Sequence, residues 1–218
     1  MTMPTRKRGT APFSNARLGV LISGRGSNLQ SIIDAVRDRR LDATIAVVIS
    51  NRSNAAGLIR AREAGIDARW LNPRDSVDRD AYDRAIVEIL REQQIDLVCL
   101  AGFMRLVSPA LLEAFPNRVL NIHPSVLPAF PGLDAQKQAL QHGVRISGAT
   151  VHLVTQDLDS GPIIVQAAVP VLDDDTTETL SARILTEEHR LYPEAIRLVL
   201  DGGWSIEGRR FRRVERRR

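Results

Sequence analysis

The stretch Leu18-Gly19-Val20-Leu21-Ile22-Ser23-Gly24-Arg25-Gly26-Ser27-Asn28-Leu29-Gln30 decides the fold. A short apolar run ends in a turn with two glycines, and Leu29, Ile32, Ile33 and Val36 then recur at helical spacing. This is a strand, a loop and a helix. The unit returns as the apolar run Ile45–Ser50, the polar turn Asn51-Arg52-Ser53-Asn54 and a helix over Ala55–Ala64. It returns again as a strand over Ala68–Leu71 and a helix over Asp80–Gln93, and strands over Leu97–Ala101 and Val119–Ile122 follow. Continuous apolar strands alternating with amphipathic helices predict an α/β fold: an open, mostly parallel, Rossmann-like sheet with helices on both faces.

The texture changes after His123, because Pro124, Pro128, Pro131 and Gly132 forbid regular structure there. A structured loop is expected. Beyond it the pattern predicts a helix over Ala135–His142, an antiparallel strand over Gly148–Val154, a turn at Asp157–Gly161 and a strand over Ile163–Val171. A long final helix is expected from about Thr176 to Leu200, with Asp175 as N-cap, Glu178 closing a capping box, and Pro193 interrupting it. With no repeat and no linker, residues 18–208 are read as a single domain.

The net charge of +4 is unevenly spread: residues 1–17 carry +4 and residues 209–218 carry +6, leaving −6 on residues 18–208. Both ends are expected to be basic, disordered tails, and nucleic acid is not expected as a partner on their account. The one cysteine, Cys99, lies in an apolar run and fits a reducing compartment. No segment is long and apolar enough for a membrane span, and no secretory signal is apparent, so a cytoplasmic location is expected.

In an open parallel sheet, chemistry gathers beyond the carboxyl ends of the strands. After the first strand, Gly24 and Gly26 let backbone approach an anion at a helix N-terminus, although a tight turn would explain them too. The loop lacks the third glycine of a dinucleotide fingerprint and the Lys-Ser/Thr of a triphosphate loop, which favours a small monophosphate. After the fifth strand, alternation places Asn121 and His123 on one side of the chain. An amide donor and an imidazole suit acyl transfer, one holding the developing oxyanion and the other supplying a proton. Asp159, in the turn Asp157–Gly161, is the expected carboxylate partner that orients His123 and raises its imidazolium population. His142 reads as a helix C-cap and His152 as a packed strand residue. No histidine has metal-ligand spacing, and no covalent nucleophile is evident, so direct transfer without a metal is the simpler mechanism.

The blocks Leu21–Gln30, Ala101-Gly102-Phe103-Met104-Arg105, Asn121–Pro128 and Asp159-Ser160-Gly161-Pro162 together resemble the phosphoribosylglycinamide formyltransferase family, from about Leu18 to Gly202. The resemblance implies transfer of a formyl group from formyl-tetrahydrofolate to the amine of glycinamide ribonucleotide in purine biosynthesis. It implies Asn121, His123 and Asp159 as the catalytic trio, and the backbone of Gly26, Ser27 and Asn28 as the holder of the substrate phosphate. It further implies that Glu188 holds the ribonucleotide, that Arg79 meets the folate, and that Met104, Arg105, Leu106, Val107, Asn121, Asp157, Leu158, Ser160 and Gly161 line the folate site. On their residue types alone, Arg79 and Glu188 read as solvated helix residues. Asp134 and Gln136 stand where many members of the family have histidines. Related deformylases carry an additional N-terminal domain and the initiator-tRNA transferases a C-terminal one, for which residues 1–17 and the arginine tail are expected to leave no room. The sequence leaves monomer and homodimer both open.

Overall fold

The structure, a computed structural model, describes residues 7–8 and 13–213. The expectation of disordered tails therefore falls, for residues 1–6, 9–12 and 214–218, outside the described residues. The chain clusters into two compact units, residues 15–122 and residues 123–218 together with the first fourteen.

The first unit is a parallel sheet. Its strands are β2 (Ala16–Ile22), β3 (Ala43–Ser50), β4 (Asp67–Trp70), β5 (Leu97–Leu100) and β6 (Val119–His123), the last residue of β6 falling in the second unit. They lie in the order β6-β5-β2-β3-β4, with parallel pairing at each step, β1 being a strand of the other unit. The chain builds outward from β2 through β3 to β4 and then returns to the other side of β2 to lay down β5. The switch point is therefore the seam between β2 and β5, where this class of sheet places its ligands. The sequence explains the strands directly: Leu18, Val20, Leu21, Ile22, Val47, Val48, Ile49, Leu97, Val98 and Cys99 are essentially inaccessible, as both faces of the sheet are covered. Burying one such aliphatic side chain stabilises the fold by roughly 2 kcal/mol. Helix α1 (Ser27–Arg37) buries Leu29, Ile32, Ile33 and Ala35. It is followed by α2 (Ala56–Glu63), a 3₁₀ turn at Pro73–Asp75, α3 (Arg79–Glu92) and a short α4 (Pro109–Ala114). Burial pushes the Cys99 thiol pKa far up, leaving it protonated.

The second unit is built around an antiparallel pair, β7 (Ile146–Leu153) and β8 (Ile163–Pro170), with α5 (Ala135–Gln141) before it and α6 (Thr177–Leu200) after it. Helix α6 buries Leu180, Ile184, Leu191, Tyr192, Ala195, Ile196 and Val199 at helical spacing against β7 and β8. Its start differs from expectation by one residue: Thr176 is the N-cap and the capping box closes on Thr179, not Glu178. Asp175 instead accepts the Leu172 amide and pairs with both arms of Arg183. Pro193 does not interrupt the helix, because it is itself buried among the residues that hold the helix down, and packing outweighs one missing hydrogen bond.

The structure also differs at the carboxyl end. Arg210–Arg213, within the segment expected to be a tail, form strand β10, paired antiparallel with β9 (Trp204–Glu207) and parallel with β8. The β9–β10 turn carries Gly208 at positive φ, and Phe211 stacks on Trp204 at 5.1 Å between ring centroids. Strand β1 (Lys7–Arg8) pairs antiparallel with β9. One ring and one glycine turn suffice to register a strand that charge counting reads as solvated.

Candidate active site

Two constellations stand out, one in each unit. In the second, His123 ends β6 with its side chain 6% exposed, and Asp159 lies opposite it with 8% exposed. His123 Nδ1 is 3.4 Å from Asp159 Oδ2, and Nε2 donates to the Phe130 carbonyl at 2.8 Å. The loop of prolines between them does local work: Phe130 and Asp134 take left-handed backbone conformations that fold the chain back. The amide of Gly132 then donates to Asp159 Oδ2 at 2.8 Å. Asp159 itself is left-handed, at φ 46°, on the turn leaving β7. That turn is pinned by Gly161, where a Cβ would lie 1.7 Å from the Leu153 carbonyl oxygen, so only glycine admits the crossing.

His152 is a functional candidate that residue-by-residue reading missed. It is packed as expected, at 1% exposed, yet its Nε2 lies 3.6 Å from Asp159 Oδ1, so Asp159 stands between two imidazoles. Its residue type gave no signal: β7 has a register irregularity at Val151/His152, and such bulges re-aim side chains.

The electrostatics add burial to the expected pull of the carboxylate. Burial is the largest influence on His123 and pulls its pKa below 6.5, against the upward pull of the Phe130 carbonyl and Asp159. Asp159 does favour the imidazolium, but burial outweighs it and the net shift is downward. Burial also acts first on Asp159, pushing its pKa up, but the hydrogen bonds from His152 and the Gly132 amide and the nearby imidazoles outweigh it, and the net shift is downward. Asp159 is an ionised carboxylate in this pocket.

In the first unit, the turn after β2 packs backbone against backbone. Gly26 caps α1 at φ 72° with no side-chain cap, and a Cβ on it would meet Gly57 Cα at 2.6 Å. The Gly57 amide donates to the Gly24 carbonyl at 3.0 Å, and Arg60 Nε reaches the Arg25 carbonyl at 3.0 Å. Gly26, Ser27 and Asn28 thus form the amino end of α1, the end of a helix that favours an anion.

On the loop after β5, Met104 and Leu106 are 59% and 55% exposed. Arg105 stacks its guanidinium 4.7 Å over the Tyr82 ring of α3, and Val107 is half-buried. Arg79 opens α3 and is exposed, and both arginines act on buried Asp83. Burial raises the Asp83 pKa first, opposed by the Ser108 amide and these two arginines. The structure thereby brings Arg79 and Arg105 to one helix face, which sequence spacing does not show. Glu188 is buried in α6 at 7% exposed, not solvated as its residue type suggests. Asp157 and Leu158 are exposed, Ser160 is half-exposed with its hydroxyl on the Leu158 carbonyl, and Asn121 lies in β6, half-exposed. Asp134 caps α5 in left-handed conformation, and Gln136 lies in its first turn. Among the described residues, no group of three or more His, Cys, Asp or Glu could hold a metal ion, and no helix is long and apolar enough to cross a membrane.

The formyl transferase family pattern matches residues 16–196. The chain is 47% identical over 183 residues to phosphoribosylglycinamide formyltransferase of Escherichia coli (strain K12), covering 84% of this chain and 86% of that protein. It is 49% identical over 187 residues to the trifunctional purine biosynthetic protein adenosine-3 of Bos taurus, covering 86% of this chain but 18% of that protein, so it spans under a fifth of that relative's length. The crystal structure of glycinamide ribonucleotide transformylase 1 from Symbiobacterium toebii superposes with TM-score 0.90 at 60% identity, covering 92% of this chain and 94% of that one.

Proposed function

The chain belongs to the phosphoribosylglycinamide formyltransferases of the formyl transferase family, and from that premise we propose that it moves a formyl group from formyl-tetrahydrofolate to the primary amine of glycinamide ribonucleotide, in the cytoplasm, with residues 18–208 as the working domain. The observation that carries the reading is the buried pair of His123 Nδ1 and Asp159 at 3.4 Å. A binding protein has no use for an ionised carboxylate and an oriented imidazole sealed from water.

The amine nitrogen of the ribonucleotide attacks the formyl carbon, and the carbonyl π pair moves to oxygen. The Asn121 amide and the His123 Nε2–H hold that oxyanion, the substrate oxygen replacing the Phe130 carbonyl as the acceptor. The amine loses a proton, the folate nitrogen gains one, and the bond between that nitrogen and the formyl carbon breaks as the carbonyl re-forms. Asp159 orients His123 and stabilises positive charge on the ring as it forms. The backbone at Gly26, Ser27 and Asn28 takes the substrate phosphate, and Glu188 the ribonucleotide. The folate binds along Met104, Arg105, Leu106 and Val107 with Asn121, Asp157, Leu158, Ser160 and Gly161, and Arg79 meets its charged end. The exposed apolar side chains of Met104, Leu106 and Leu158 suit a flat aromatic partner.

The test is a formyl-transfer assay with purified protein and formyl-tetrahydrofolate, with and without glycinamide ribonucleotide. Consumption of the formyl donor only when the ribonucleotide is present is the expected result. Consumption without it makes water the acceptor and overturns the reading.

A further inference from the structure

The switch point between β2 and β5 is bridged by one side chain that the proposed mechanism does not use. Ser23, at the carboxyl end of β2, is 2% exposed. Its amide donates to the Gly102 carbonyl at 3.1 Å. Its hydroxyl donates to Asn51 Oδ1, just beyond β3, at 2.6 Å, and accepts the Met104 amide, beyond β5, at 2.8 Å. Three strand ends are thus fastened at one hydroxyl. The residue also opens the glycine turn that leads to Gly26 and the start of α1, while Met104 opens the apolar segment Met104–Val107.

We propose that Ser23 is a positioning residue that couples the two substrates, transmitting occupancy of the phosphate-binding turn to the backbone of the folate-lining segment through its bond to the Met104 amide. The inference rests on the functional reading above and adds to it a cooperative order within the site. Met104 and Leu106 are largely exposed, so their own side chains do little to fix the Met104 amide. The part-buried bond to Ser23 ties it to β2, whose carboxyl end continues without a break into the anion turn. An anion that orders the turn fixes the position of the Ser23 hydroxyl. That in turn orders the Met104 amide before the folate arrives, so the second ligand loses less freedom on binding. Linkage makes the effect reciprocal.

The experiment uses glycinamide ribonucleotide and tetrahydrofolate, a pair that lacks the formyl group and cannot react. By calorimetry, saturating ribonucleotide should tighten tetrahydrofolate binding to the intact protein by about tenfold. In Ser23→Ala each ligand should still bind alone, and the enhancement should fall to less than about twofold. Hydrogen exchange at the Met104 amide gives a readout that needs no variant: ribonucleotide alone should slow it by about tenfold. If both ligands bind the intact protein but Ser23→Ala keeps the full enhancement, or Met104 exchange ignores the ribonucleotide, the coupling is overturned while the functional reading stands. If neither ligand binds the intact protein, both fall together.

Discussion

The two halves of the proposed site are made of different materials. In residues 15–122 the work is given to backbone: Gly26 at φ 72°, the amino end of α1, the Met104 amide held by the Ser23 hydroxyl and the Gly24 carbonyl held by the Gly57 amide. From His123 onward it is given to buried side chains that titrate, with His123 and His152 on either side of Asp159. The first half should be intolerant of a single added carbon, and its turn Gly26–Asn28 carries no titrating side chain. The second, apart from the tight crossing at Gly161, should respond most sharply to loss of charge or of a ring nitrogen.

Four substitutions or conditions test that division, the largest effect first. Replacing His123 with Ala should lower kcat by about 10²–10⁴-fold through loss of the proton donor, while ribonucleotide binding by calorimetry stays near normal. An equal loss of binding would show that the imidazole is structural. Gly161→Ala should cost stability in place of chemistry alone, because its Cβ would overlap the Leu153 carbonyl oxygen; a fall in Tm is expected that corresponds to roughly 3 kcal/mol or more. Gly26→Ala adds left-handed strain of about 1–2 kcal/mol to a backbone clash with Gly57. It should raise the KM for the ribonucleotide more than it lowers kcat, and an unchanged KM would place the phosphate elsewhere.

The smallest effect is the pH dependence of stability. The folded His123 binds its proton less readily than the unfolded residue, whose pKa is near 6.5. Its contribution is therefore intact above that value and is lost as pH falls below it, through the lowered folded value. Asp159, also lowered, adds a second loss below about pH 3.8. Urea denaturation of the intact protein at stepped pH should show the first decline, and His123→Gln should remove it. The same series on Gly26→Ala should keep the slope of the intact protein, since that substitution touches no titrating group.

Much of this was legible in the sequence, and the exceptions share a cause. Strands such as Leu18–Ile22 and Leu97–Leu100 read correctly because burial on both faces leaves an unbroken apolar run. Pairs read less well. The expected Asp175 cap yielded to Thr176 because Arg183, two turns away, claimed the carboxylate. Strand β10 is hidden under arginines, since its fixing contact is one ring on another, Phe211 on Trp204. At the site, Asp159 was identifiable as the partner of His123, whereas the sign of the His123 shift was not. Burial set it, and burial is a property of the assembled fold. His152 failed to register for the same reason, its Nε2 direction being decided by a strand irregularity that no residue type announces.

Cys99 offers a final consequence. It is the one thiol in the chain and sits without exposure on β5, paired on both sides, beside the seam between β2 and β5. Its modification by a maleimide or a disulfide reagent must wait for the sheet to open, so the labelling rate is a built-in clock for that opening. The thiols that keep a reduced folate from oxidising in an assay will leave the native protein untouched. The one thiol thereby turns the stability of an interior strand into a quantity that mass spectrometry can time.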